Sequence, residues 1–224
     1  MILEQSYTER LSEVGPELWQ ASLETAHMVV LSSLFALVLG FGLAVLMILW
    51  NPRGLAPRPK LYRLLDTLVN LGRSFPFIIL LIAIIPLTRV IVGTSIGSGA
   101  AVVPLVAAAA PFAARLVEAA FLEVDRGVVE AARSFGAGNL RIVFRVLMPE
   151  ALPAIVLNAA VVGIALLGYS AMAGLVGGGG LGDLAIKYGY NRFEVDVMIY
   201  SVIILVLMVQ AMQSAGNFIY NKIR

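Results

Sequence analysis

The run of residues 28–50 contains no charged side chain and is long enough by itself to cross a bilayer. A membrane-spanning helix needs about 20 mostly apolar residues. Four more segments are long enough and mostly apolar, although two of them include charged residues, at 62–87, 100–122, 151–176 and 197–215. Because backbone groups in a bilayer must be hydrogen-bonded within their own segment, each is expected to be a helix. The chain is therefore predicted to be an all-α integral membrane protein with five transmembrane helices, forming one domain over residues 1–224.

Composition excludes several classes of protein. The chain is 60% hydrophobic and only 13% charged, whereas soluble domains carry about 25% charged residues. So little charge also argues against a nucleic-acid partner. With no cysteine, a disulfide framework, a zinc-thiolate site and a thiol nucleophile are all excluded. The start is acidic, with Glu4, Glu9, Glu13 and Glu17, so no cleavable signal peptide is expected.

The basic residues predict the orientation, because cytoplasmic connections carry an excess of Lys and Arg. One set of connections holds Arg53, Arg58, Lys60, Arg63, Arg126, Arg133, Arg141, Arg145, Lys222 and Arg224. The other set holds Arg10, Arg89, Lys187 and Arg192. This imbalance places the N-terminus outside and the C-terminus inside. The connection at about 126–148, between the third and fourth spans, is then cytoplasmic.

Residues 130–153 read EAARSFGAGNLRIVFRVLMPEALP, a polar, Gly-broken stretch between two apolar spans. We expect a helix from Arg126 to about Phe135, a break at Gly136 and Gly138, and a second short helix over 139–147. Two short helices meeting at a bend form a compact knob that could dock in a groove of a partner. An ordinary juxtamembrane loop with positive-inside arginines is the alternative on physical grounds alone.

The spacing in this stretch resembles a motif of known transporters. Glu130-Ala131-Ala132 is followed by Gly136 and, after nine residues, by Val146 and Met148-Pro149. Permeases of binding-protein-dependent ABC importers share this cytoplasmic pattern, with Ile and Leu where this chain has Val146 and Met148. Segments 73–81, 86–95, 110–118 and 168–174 look like the five-span methionine-uptake permeases in particular.

The resemblance implies a type I importer permease fold in the bacterial cytoplasmic membrane. It further implies two copies of the chain, two ATP-hydrolysing subunits, an external methionine-binding lipoprotein and surrounding lipid as partners. The chain would move D- or L-methionine without being an enzyme itself and without a cofactor. Its loop would couple to the ATPase through Glu130, Ala131, Ala132, Gly136, Ala137 and Leu140.

A substrate pathway is proposed at Tyr169 and Met172. They are three residues apart and so share a helix face, and Ser170, Ala171 and Gly174 leave space around them. The thioether and the phenol could contact a small, partly apolar amino acid. Packing of the two side chains inside the helix bundle is the alternative.

Charged residues near the spans predict ion pairs rather than a transport path. Asp66, Asn70 and Arg73 share one helix face, and Arg115 and Glu118 are similarly spaced in the third span. Charges in a membrane usually pair or face the bundle interior, so these groups are expected to fix helix packing.

The glycine run at 177–180 lacks the Gly-Lys-Ser/Thr of a phosphate loop. It is interpreted as a flexible exit from the fourth span, near a docking surface for the external binding protein. No nucleotide site is expected in the chain.

Other functions are considered beside this one. The same importer class could carry another small amino acid or a related substrate. A stand-alone secondary transporter would be expected to show internal repeats and charges near the bilayer centre, which are not evident. An intramembrane hydrolase is disfavoured because Ser170 lacks a Gly-x-Ser-x-Gly context and His27 is the only histidine.

Overall fold

The computed structural model describes residues 7–223, and within this range every regular element is a helix. Glu4 of the predicted acidic start and Arg224 of the predicted basic end lie outside the described residues. The helices are α1 (Tyr7–Trp50), α2 (Pro59–Ser74), α3 (Phe77–Ala83), α4 (Ile85–Val92), α5 (Ser98–Leu122), α6 (Arg126–Ser134), α7 (Asn139–Ile142), α8 (Met148–Gly174), α9 (Gly180–Leu184) and α10 (Val195–Ile223). Two π-helical turns, Val143–Leu147 and Ala185–Tyr190, directly follow α7 and α9.

Four helical stretches of the described chain are long and apolar enough to cross a membrane. They are Arg10–Trp50, Ser98–Leu122, Asn139–Gly174 and Val195–Ile223. The consecutive helices α2 and α3 pass the same test only when they are taken together as one broken span. The five predicted spans are therefore reached if this broken pair counts as one.

The second predicted span, 62–87, is not a single helix, which corrects the sequence-based expectation. The helix stops at Ser74 and resumes at Phe77, with Phe75 in an extended conformation (φ −74°, ψ 128°). Pro76 is the cause, because the residue before a proline is pushed out of the α region. A second interruption at Ile84 separates α3 from α4, which has Pro86 in its first turn.

The fourth predicted span also begins earlier and ends sooner than expected. The short helix predicted over 139–147 is not separate, because α7, the π-helical turn and α8 run on without a break. The amide of Met148 donates to the carbonyl of Val143, and this wider turn carries the helix into Pro149, which lacks an N–H. After Gly174 the helix ends and residues 175–177 form turns, with Gly177 at φ +85°.

The described residues fall into two compact units. The first comprises Met1–Ser32, described from residue 7, with Phe77–Leu105 and Ala165–Ala211. Its core is formed by three side chains of α1, two of α9 and one of α10: Val14, Leu18, Ala21, Leu181, Leu184 and Val197. Arg10 of α1 also forms ion pairs within this unit, donating to Glu194 at 2.5 Å and to Asp196 at 3.0 Å.

The glycine run lies in this first unit and packs closely against α1. The Gly180 amide donates to Glu24 at 2.8 Å, and the Leu181 amide donates to Thr25 Oγ1 at 2.9 Å. A Cβ built on Gly179 or Gly180 would lie only 2.6 Å from these α1 side chains. The glycines therefore permit a close backbone approach, while the predicted flexibility of this exit stays a prediction.

The second unit comprises Ser33–Pro76, Val106–Ile164 and Met212–Arg224. Its core contains buried side chains of α1, α5, α8 and the π-helical turn that follows α7, including Ile48, Phe121, Val143 and Ala151. Within it, α1 and α5 touch at Gly40, where a Cβ would lie 2.7 Å from Ala113. Small residues let membrane helices approach this closely.

Candidate functional site

The segment from Asp125 to Ala137 in the second unit folds as a capped helix and a tight turn. The Asp125 carboxylate begins α6 by accepting from the Gly127 amide at 2.6 Å. At the other end, the Gly136 amide donates to Arg133 and the Ala137 amide donates to Ala132. This pair of bonds, with Gly136 at φ +77°, is a Schellman motif. The spacing from the Ala pair to Gly136 is thus the spacing that the helix end requires.

The residues predicted to couple to a partner lie on different faces of this segment. Ala132 and Ala137, which occupy the C3 and C″ positions of the Schellman motif, both pack against the core of the second unit. Glu130 lines a cavity beside α6. Ala131 and Leu140 are exposed. The two inward alanines fix the position of the turn, and the outward residues are available for contact.

Phe135 is the most exposed large apolar side chain of the described residues, at 91%. From the sequence it was assigned only the end of a helix and no contact with a partner. It follows directly after α6 and precedes Gly136. The signal was a large aromatic residue in an otherwise polar stretch at a helix end. Together with exposed Val128 and Ala131, it gives α6 an apolar outer face of the kind that protein interfaces bury.

The Arg133 side chain joins α6 to the segment that follows α1. Its guanidinium donates to the Leu55 carbonyl at 2.7 Å and, at the longer distance of 3.5 Å, to the Gly54 carbonyl. Leu55 is itself buried in the core of the second unit. A displacement of α6 would therefore be carried directly into the body of this unit.

Tyr169 and Met172 lie near the end of α8 in the first unit. The Tyr169 ring stacks on Phe77 of α3, with ring centroids 4.7 Å apart and planes inclined by 11°. Met172 is 46% exposed, and a Cβ on neighbouring Gly168 would meet no atom within 4 Å. The structure thus leaves an open surface beside the predicted pair and adds Phe77 to it. Nothing in the sequence around Phe77 points to this partner.

Ser170, between these two residues, is too buried to act as a nucleophile. It is 1% exposed, and its hydroxyl donates to the Leu167 carbonyl of its own helix at 2.7 Å. This bond satisfies the buried hydroxyl within α8.

The predicted ion pairs of the second unit are confirmed. Arg115 of α5 donates to Asp66 of α2 at 2.5 Å and to Glu118 at 2.7 Å. It also donates to the amide oxygen of Asn70, and the Tyr62 hydroxyl donates to Glu118 at 3.1 Å. Glu118 is only 1% exposed, so its charge depends on these partners.

Arg73 does not join this network, although it lies on the same predicted face as Asp66. Its guanidinium lies over the ring of Phe112, 6.0 Å from the centroid. A contact of this kind is a cation–π interaction.

Comparison with known proteins places the chain in context. The family model "Binding-protein-dependent transport system inner membrane component" matches residues 36–223. The "Probable D-methionine transport system permease protein MetI" of Vibrio cholerae is 46% identical over 203 residues, which cover 91% of this chain and 90% of that protein. The "Methionine import system permease protein MetP" of Bacillus subtilis is 42% identical, covering 92% and 93%.

Solved structures give the same result for the fold. A chain of the MetNI methionine ABC transporter, in an inward-facing conformation, superposes with a TM-score of 0.91 at 46% identity. The match covers 92% of this chain and 96% of the other. A chain of an amino acid ABC transporter superposes with a TM-score of 0.78 at 19% identity, a likeness of fold alone.

Proposed function

The chain belongs to the family of binding-protein-dependent transport system inner membrane components, and we propose that it is the permease subunit of an ATP-driven methionine importer. The family membership makes it a multi-pass inner-membrane protein with the predicted type I importer fold. The observation that carries the mechanistic part is the α6–Gly136–α7 unit. It is capped at its start, closed by a Schellman motif and hydrogen-bonded to the Leu55 carbonyl.

Coupling requires an element that moves as one body with the spans, and the α6–α7 unit has that construction. Two ATPase subunits, one on each of two copies of this chain, would contact its outer face at Val128, Ala131, Phe135 and Leu140. Ala132 and Ala137 would transmit the displacement inward, because they pack directly on the core of the second unit. ATP drives the change only because its bound form favours one of two arrangements.

The chain itself supplies no nucleotide site in this proposal. The glycine run is occupied in packing against α1 and lacks the lysine of a phosphate loop. ATP hydrolysis is therefore assigned to the partner subunits. An external binding protein would deliver substrate on the side opposite the α6–α7 unit, with the N-terminus outside and the C-terminus inside.

Methionine as the substrate is supported by the two relatives named for it and by the chemistry of the pathway candidates. The stacked rings of Tyr169 and Phe77 and the exposed thioether of Met172 offer polarisable, apolar contact to a thioether substrate. The Tyr169 hydroxyl could donate to a carboxylate. Another small amino acid remains the second candidate, because these contacts fit an aliphatic side chain as well.

Competition uptake separates the two candidates. Cells that lack their own methionine importers and express this chain with its ATPase and binding protein are expected to take up labelled L-methionine. An excess of unlabelled D-methionine is expected to compete, and an equal excess of leucine or glutamine is not. Equal competition by leucine would contradict the methionine assignment and indicate that the importer accepts a broader range of amino acids.

A further inference from the structure

A cavity of about 590 Å³ lies in the second unit, beside the inner face of α6. Ligand sites in proteins typically measure about 300–1,000 Å³. Its lining comes from the end of α1, the segment after it, the end of α5, the link between α5 and α6, one face of α6 and the end of the π-helical turn Val143–Leu147. Glu130 is the predicted coupling residue that lines this cavity, and no ligand has been assigned to the cavity itself.

The cavity is cationic at its rim. Arg53, Arg126 and Arg133 line it, against a single carboxylate from Glu130. The Arg133 guanidinium is engaged by the Leu55 carbonyl. Among residues 10–223, whose side chains the structure describes, the Arg53 and Arg126 side chains have no hydrogen-bonding or ion-pair partner. Two guanidinium groups without protein partners at one cavity favour a ligand with phosphate oxygens, which arginine can bind bidentately.

The floor of the cavity is apolar, and it continues from the ends of membrane-spanning helices. Ile48 belongs to the last turn of α1, and Phe121 and Leu122 end α5. Trp50, the last residue of α1, directly precedes the lining residue Asn51, and tryptophans concentrate at the headgroup level of membranes. A ligand here would meet guanidinium groups on one side and hydrocarbon on the other.

We propose that this cavity binds the headgroup of an anionic phospholipid from the cytoplasmic leaflet. The phosphate lies between Arg53 and Arg126, and the acyl chains leave along Ile48 and Leu122. Basic pockets at the cytoplasmic ends of membrane helices bind headgroups of this kind. The assignment rests on the proposed orientation, which places residues 51–58 and α6 at the cytoplasmic surface.

A protein partner fits this cavity less well than a lipid. The four α6 residues that line it, Arg126, Val129, Glu130 and Arg133, lie on one helix face, and three of the four are charged. The apolar surface that suits an ATPase, at Val128, Ala131 and Phe135, lies elsewhere on the same segment. A lipid in the cavity would bridge the segment after α1 to α6 and hold the coupling unit in place.

Native mass spectrometry of the detergent-purified transporter complex tests this inference. The probe is phosphatidylglycerol, titrated against phosphatidylcholine. The variant Arg53→Ala with Arg126→Ala is expected to weaken phosphatidylglycerol binding about 30-fold. The control, Arg58→Ala with Arg145→Ala, removes equal charge from residues that do not line the cavity, and its binding is expected to match the unmodified complex. Equal loss in both variants, or no loss in either, would overturn the proposal.

Two further measurements decide the kind of ligand and the source of any failure. Inorganic phosphate and ATP, each added in excess, are expected to leave the bound phosphatidylglycerol in place. Displacement by either would identify a soluble anion site instead. Retention of lipid by the isolated chain and its loss when the ATPase subunits assemble would show that the ATPase fills the cavity. Methionine uptake is recorded in parallel, so that a wrong lipid assignment is distinguishable from a wrong transport function.

Discussion

The functional residues divide into those positioned by neighbours in sequence and those positioned by distant partners. Gly136 belongs to the first kind, because its positive φ follows from the helix end it closes. Tyr169 and Arg115 belong to the second, because Phe77 and Asp66 reach them from other helices. Each kind leads to a different experiment.

The pathway assignment predicts a loss of transport from two truncations. Tyr169→Ala with Met172→Ala removes the phenol, its stacking on Phe77 and the thioether. We expect uptake to fall about tenfold or more, since such contacts are worth about 1–2 kcal/mol together. ATP hydrolysis by the assembled complex should fall much less. Uptake kinetics in vesicles measure the first and phosphate release measures the second.

The matched control is Val161→Ala in the same helix, which shortens an apolar side chain of similar exposure (44%, against 46% for Met172). It should leave uptake near its original value. If the double variant also transports normally, Tyr169 and Met172 are packing residues and the pathway lies elsewhere.

The ion network predicts that Arg115 matters for stability through Glu118. Arg115→Leu leaves a nearly buried carboxylate with only the Tyr62 hydroxyl as partner. Breaking a buried pair costs on the order of 3 kcal/mol, so the melting temperature of the purified protein should drop clearly. Adding Glu118→Gln removes the unpaired charge and should recover most of the loss. No recovery in the double variant would mean that Arg115 stabilises the protein through Asp66, Asn70 or packing rather than through Glu118.

At the scale of the element, the α6–α7 unit predicts opposite outcomes at two neighbouring glycines. Gly136 has φ +77°, whereas Gly138 has φ −71° and ψ 156° at the N-cap of α7. Gly136→Ser introduces strain of about 1–2 kcal/mol at the Schellman turn. We expect it to lower the methionine transported per ATP hydrolysed by about tenfold.

Gly138→Ser is the control, because serine is a favoured N-cap residue and a Cβ there meets no atom within 4 Å. It should transport like the original chain. The coupling role of the turn would be wrong if both serine variants kept the same transport per ATP in vesicles.

Elements were predictable where the signal was local. The start of α6 at Arg126, its end near Phe135 and the bend at Gly136 follow from a cap, a glycine and helix-forming residues between them. The break after Ser74 had its signal in Pro76, but the apolar run through it masked the stop. The continuity of α7 into α8 depends on a π-helical turn, which no simple sequence pattern marks.

Contacts between distant elements were not predictable in the same way. The stacking of Phe77 on Tyr169 and the bond from Arg133 to the Leu55 carbonyl each join different helices or segments. Their geometry is decided by how the helices pack, and no spacing along the chain encodes it. The Asp66–Arg115 pair could be anticipated only as charges in need of partners.

For the whole molecule, the proposed orientation in the membrane places the α6–α7 unit on the ATPase side. The chain contains no cysteine, so single cysteines can be added without further changes. Ser134→Cys in α6 and Thr94→Cys between α4 and α5 are both exposed positions. An impermeant maleimide should label Thr94→Cys in right-side-out vesicles and Ser134→Cys only in inverted ones. The reverse pattern would place the N-terminus inside.

As a permease subunit, this chain is proposed to transport only as part of an ATP-driven assembly. The direct measurement is accumulation of labelled methionine in proteoliposomes with the chain alone, with its ATPase subunits, and with both the ATPase and the binding protein. We expect accumulation only in the complete system with ATP on the ATPase side, and no ATP hydrolysis by the chain alone. Accumulation by the chain alone under an ion gradient would contradict it and identify a secondary transporter.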